Sequence, residues 1–100
     1  MRDYELSSRA VADMVAARSW YDQYSLKLGE QFVDAVVAAI REARERPASF
    51  PKVEKDIRAV RCRRFPYRIY FVLSPDDKIE VLSVYHTARN PRKWNHADRD

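Results

Sequence analysis

The sequence predicts an α+β domain with the order β-α-α-β-β-β, a helical hairpin packed on one face of a small antiparallel sheet. Two observations carry that expectation. Apolar residues recur with helical spacing from Val11 to Ala43, and the period changes to two between Ile57 and His86. The joints are also short, which forces consecutive helices and consecutive strands to lie side by side.

The elements follow in order. "YELS" alternates, with Tyr4 and Leu6 on one side, and reads as a short strand. Ser7 or Ser8 caps the helix that follows. Val11, Met14, Val15, Tyr21, Tyr24 and Leu28 trace its apolar stripe over roughly five turns. Gly29, the only glycine of the chain, is expected to break the pattern. Phe32, Val33, Val36, Val37, Ile40 and Ala43 then mark the buried side of a second helix. That helix ends at Arg46 because Pro47 cannot continue it. "RPASFPKVEKD" reads as a loop. Ile57 to Arg64, Tyr67 to Leu73 and Ile79 to His86 read as three strands, with turns at Pro66 and at "SPDDK". Pro91 closes the last strand region, leaving Arg89, Arg92 and Lys93 as a cationic exit.

One hundred residues make one small domain, expected over 1–94 with a polar tail at 95–100. With 46% hydrophobic and 34% charged residues, its core is small enough that a partner covering apolar surface would matter. A single cysteine, Cys62, excludes an intrachain disulfide and a multi-cysteine metal site, and suits a reducing compartment. The first ten residues hold no apolar core of a leader, and no apolar run approaches the length of a membrane span. A cytoplasmic protein without membrane contact is expected.

The net charge of +4 is uneven. Residues 1–56 carry nine Lys/Arg against ten Asp/Glu, and residues 57–100 carry ten against five. Arg58, Arg61, Arg63, Arg64 and Arg68 fall between Ile57 and Leu73 with no acid among them. Such a segment favours an anionic partner, whether RNA, DNA or an acidic protein segment. It also suits a solvated strand face.

Strand register sharpens this. An even turn at "PDDK" pairs Tyr67 with His86, Ile69 with Val84, and Phe71 with Leu82 on the apolar face under the helices. Val60 and Cys62 join that face. The opposite face sets Arg68 against Tyr85 and Tyr70 against Ser83, with Arg61 beside Arg68. Arg61, Arg68, Tyr70 and Tyr85 then form an anion site with an aromatic platform. His86 is expected beside Tyr67 at the core edge, where a structural role outweighs a catalytic one. Asp13, Asp22, Asp34, Glu42 and Glu45 read as solvated helix carboxylates. His86, His96 and Asp98 lack metal-ligand spacing, so no metal and no cofactor are expected. Cys62 reads as a small buried hydrophobe, and Trp20 and Trp94 as packing residues. One glycine leaves no glycine-rich phosphate loop.

With "IRAVRCRRFPYRIYFVL", a polar turn and "IEVLSVYHTARNPRKW", the chain resembles the RelE/ParE superfamily of bacterial toxins from type II toxin–antitoxin modules. The resemblance runs from Tyr4 to Trp94 and is most specific at "FPYRIYFV" and "VYHTARNPRKW". It implies a growth-arresting toxin neutralised by a cognate antitoxin, in heterotetramers or larger assemblies, with a free toxin that is a monomer or homodimer. It also implies one of two targets. ParE-like members bind and poison DNA gyrase, as in plasmid stabilization modules, and "FPYRIYF" and "YHTARNP" look more like that branch. RelE-like members are mRNA interferases that cut mRNA on the ribosome without metal, using basic side chains and a C-terminal tyrosine or histidine. For that chemistry Arg68 and Arg61 match basic positions, and Tyr85 or His86 would move protons. Ala59 stands where RelE has lysine, and Tyr85 and His86 stand in the reverse order of one ribonuclease subgroup. A partner surface of Arg58, Arg61, Arg68, Tyr70, Tyr85, Arg89, Arg92 and Lys93 is expected under either target. A non-toxic basic nucleic-acid binding domain is the remaining alternative.

Overall fold

A computed structural model describes residues 1–88. The expectations for Arg89, Pro91, Arg92, Lys93, Trp94, His96, Asp98 and the tail lie outside the described residues.

Ser7 begins the first helix by satisfying two elements at once. Its hydroxyl accepts the Ala10 N–H at 3.0 Å and donates to the Leu82 carbonyl at 2.8 Å. The cap therefore ties helix α1 (Ser8–Asp22) to strand β5 (Ile79–His86). Strand β1 (Tyr4–Leu6) runs parallel to β5, with Tyr4 opposite Ile79 and Leu6 opposite Val81. The remaining strand pairs are antiparallel, so the sheet is mixed.

The buried stripe of α1 is Ala10 and Ala17, with Met14 and Tyr21 packed against the same core. Val11 and Val15, expected on that side, are 46% and 61% exposed. The small alanines let the helix approach the sheet closely, so the larger valines fall on the opposite side. Tyr24 is exposed as well, and Leu28 belongs to the next helix. The break between helices comes before Gly29. Gln23 and Tyr24 bond back to the last turn of α1. Ser25 then caps helix α2 (Leu26–Glu45), its hydroxyl accepting the Leu28 N–H at 3.0 Å. Gly29 lies in the second turn of α2, where the Asp22 carboxylate rests on it. The serine cap, not the glycine, sets the boundary. Phe32, Val36, Ile40 and Ala43 are buried as the spacing requires, and α2 ends before Pro47.

The segment expected to be only a loop holds a short 3₁₀ turn at Pro47–Ser49 and strand β2 (Lys52–Glu54). β2 pairs with the start of strand β3 (Ile57–Arg61). Three residues of mixed polarity carry too little periodicity to announce a strand. β3 stops at Arg61 instead of reaching Arg64. The backbone turns through Arg64, at φ 72°, into strand β4 (Tyr67–Leu73). The sheet order is β1-β5-β4-β3-β2, with both helices on one face. Among the described residues, no helix is long and apolar enough to cross a membrane.

The β4–β5 register follows the expected pairing from Tyr67–His86 to Tyr70–Ser83 and then slips. Phe71 pairs with Val81, not Leu82. The extra residue is a bulge that turns Leu82 to the far side of the sheet. Phe71, Val81 and Ile79 stay in the main core with Phe32, Val36 and Ile69. Leu82 joins a second cluster with Ile57, Tyr70, Val72 and Tyr85.

Candidate functional site

Arg61 and Arg68 lie directly opposite each other on β3 and β4, and Tyr85 lies across from Arg68 on β5. Both arginines are exposed. Like charges placed opposite in a sheet repel, so this pair is a standing attraction for an anion. A guanidinium presents a planar fork of donors, well shaped for phosphate or carboxylate.

The tyrosines expected to complete an aromatic platform are placed differently. Tyr70 is 7% exposed and Tyr85 5%. Their rings meet at 6.3 Å between centroids and an angle of 66°. Buried against Val72, Leu82 and Ile57, neither ring offers an open stacking face. The far side of the sheet is thus an apolar cluster with cations at one end.

Arg58 separates from the other arginines. It pairs opposite Phe71, on the helix side, and its guanidinium donates to the Phe50 carbonyl. Arg63 donates to Glu42 Oε1 at 3.0 Å. Arg61, Arg64 and Arg68 remain as exposed cations around the β3–β4 turn.

His86 faces the helix side, opposite Tyr67, with the two rings edge to face at 5.0 Å. Arg68 and His86 therefore stand on opposite faces. The His86 Nδ1 accepts the Ala88 N–H at 3.0 Å, which places the ring proton of the neutral form on Nε2. The ring also lines a cleft of about 420 Å³ between α1 and the end of β5, walled by Asp13, Trp20, Tyr67 and Val84. This cleft is not legible in the sequence, because its walls come from segments far apart in the chain.

The helix carboxylates are more engaged than a solvated face implies. Asp13 Oδ2 accepts the Val84 N–H at 2.9 Å, beyond the point where β1 stops pairing with β5. It therefore substitutes for a missing strand partner. Glu42 holds Arg63, and Asp22 packs over Gly29. Glu45 does lie on the helix surface, paired with Arg41.

Cys62 is fully buried, and burial pushes its thiol up to about 11. The neighbouring Tyr21 hydroxyl is also raised. Its own burial is the main cause and Cys62 adds to it, while a hydrogen bond with Tyr67 pulls the other way. Neither group is poised to ionise near neutrality, so neither suits a nucleophile. Among the described residues, no cluster of three or more His, Cys, Asp or Glu could hold a metal.

Comparison with known proteins decides the family. The model for the ParE toxin of the type II toxin–antitoxin system parDE matches residues 4–91. The chain belongs to the ParE toxin family. Among solved structures, the ParE-family chain matches one from the chromosomal ParDE toxin–antitoxin system of P. aeruginosa. The TM-score is 0.74 at 17% identity, covering 86% of this chain and 96% of that one. At that identity the likeness speaks for the fold alone. Among curated proteins, none matches. In this ParE-family chain the site residues are the exposed Arg61–Arg68 pair, His86 on the opposite face and the buried Tyr85.

Proposed function

We propose that this ParE-family toxin arrests growth by binding a cellular target, DNA gyrase, and is neutralised in the cytoplasm by a cognate antitoxin. The observation that carries the binding reading is the separation of the would-be catalytic groups. Arg61 and Arg68 are exposed on one sheet face, His86 turns to the other, and Tyr85 is buried at 5% exposure. Acid–base cleavage of a phosphodiester needs its proton donor and acceptor within hydrogen-bond reach of one scissile group. Here the basic pair and the histidine cannot flank a single phosphate without rebuilding the end of β5. Exposed apolar residues on α1, Val11 and Val15, and the cationic β3–β4 turn suit surfaces that partners cover.

A ribosome-dependent ribonuclease is favoured by one observation, the unopposed Arg61–Arg68 pair beside Tyr85. Induced expression without an antitoxin separates the two. The binding reading predicts loss of supercoiling and a DNA damage response with transcripts intact. Codon-positioned cuts in mRNA, lost in Arg68→Ala, would replace it with the ribonuclease. Unchanged growth would remove both.

A further inference from the structure

The cleft between α1 and the end of β5 brings one carboxylate and three rings to a single recess. Ala16 and Ala17 line its helix side, and their small side chains leave room between helix and sheet. Its volume of about 420 Å³ falls in the range of sites that hold small organic molecules. The rings are held in place by their neighbours. Tyr67 meets Phe32 at 5.1 Å and His86 at 5.0 Å, both edge to face. Trp20 meets the Tyr24 ring at 5.8 Å and 71°, and stays 52% exposed. Aromatic faces carry negative potential, so rings set around a recess favour a cation.

The charge of the lining has the same preference. Among the described residues that line the cleft, Asp13 alone carries a formal charge, in a chain with 19 Lys/Arg against 15 Asp/Glu. The Val84 N–H orients Asp13 through Oδ2 at 2.9 Å, and a bond from a backbone amide leaves the carboxylate its charge. His86 accepts the Ala88 N–H through Nδ1, which requires the uncharged imidazole, so this ring adds no positive charge. A metal ion needs more ligands than one carboxylate, and among the described residues no three ligating groups cluster. A bare ammonium seeks three hydrogen-bond acceptors, whereas the recess is mostly carbon and ring surface. An alkylated ammonium needs no such bonds. We propose that this cleft binds a small organic cation, a methylated ammonium ion seated among the Trp20, Tyr67 and His86 rings with Asp13 as its counter-charge. Such a ligand touches α1 through Asp13 and Trp20 and the sheet through Tyr67 and His86, so its binding ties helix to sheet. The proposal does not depend on the identity of the toxin's target.

The test uses the full chain, isotope-labelled at nitrogen for NMR, with choline as the probe. Dimethylbutanol, the uncharged carbon isostere of choline, is the control. The expected result is saturable shifts at the Trp20 indole N–H and at the Val84 and Ala88 amides, whose acceptors are Asp13 and His86. Dimethylbutanol should bind at least about tenfold more weakly. Trp20→Ala removes a half-exposed wall, and should weaken choline by about tenfold with the melting temperature little changed. Asp13→Asn keeps an acceptor for the Val84 N–H while removing the charge, and should weaken choline by about fivefold. The proposal is overturned if no saturable shift appears, if dimethylbutanol binds as choline does, or if both variants bind as the parent does. It is also overturned if the shifts gather at the β3–β4 turn and not at the cleft. Gyrase supercoiling, assayed in parallel on the parent protein without choline, reports on the toxin reading alone.

Discussion

Asp13 and Gly29 show how single residues hold this hairpin to its sheet. Asp13 Oδ2 accepts the Val84 N–H where the sheet has run out of strands. Asp13→Ala would leave that donor unpaired and should cost about 1–3 kcal/mol, as read by denaturant unfolding. Asp13→Asn keeps an acceptor and should recover most of the loss. Gly29 lies under Asp22, and a Cβ there would come within 1.8 Å of the Asp22 Oδ1, itself buried without a hydrogen-bond partner. In a helix interior, glycine to alanine ordinarily gains about 1 kcal/mol. Gly29→Ala should gain that amount only in an Asp22→Ala background, and equal effects in both backgrounds would refute the contact. Cys62 gives the pH dependence. Its thiol is pushed up to about 11 in the fold, whereas an unfolded thiol ionises near about 8.5. The unfolded state therefore loses its proton first as pH rises. The stability from Cys62 is whole below about 8.5 and is lost as pH climbs through about 11. Urea melts at pH 8 and pH 10.5 should show a drop that Cys62→Ala reduces, with Tyr21 supplying part of the remainder.

The elements show what the sequence could and could not announce. Long periodic segments were legible. Phe32, Val36 and Ile40 repeat on one side of α2, and β4 and β5 alternate well enough to place Tyr67 against His86 and Arg68 against Tyr85. What stayed hidden depends on backbone events that leave little trace in residue types. The bulge at Leu82 moves one side chain across the sheet, and with it the apolar cluster that buries Tyr70 and Tyr85. β2 is too short to have a period, and the parallel pairing of β1 with β5 is a contact across most of the chain. The cationic pair was visible from spacing, but the buried state of the tyrosines beside it was not. Tyr85 tests the element. As a buried side chain packed on Tyr70, Tyr85→Ala should destabilise the fold by about 3–5 kcal/mol. A surface residue would change stability by less than about 0.5 kcal/mol.

Over the whole molecule, charge and apolar surface are divided in space. Helices cover one face of the sheet, an apolar cluster occupies the other, and Arg61, Arg63, Arg64 and Arg68 gather at the β3–β4 end. That division suits a protein held by one partner and directed at another, and among the described residues Arg61 and Arg68 stand on one sheet face while His86 stands on the other. Toxicity by binding is the reading proposed above for this fold. Purified protein titrated into a DNA gyrase supercoiling reaction tests it most directly. Dose-dependent loss of supercoiling is expected, with ribosome-bound mRNA left intact by the same preparation. Full supercoiling at saturating protein, together with cleavage of that mRNA, would contradict it.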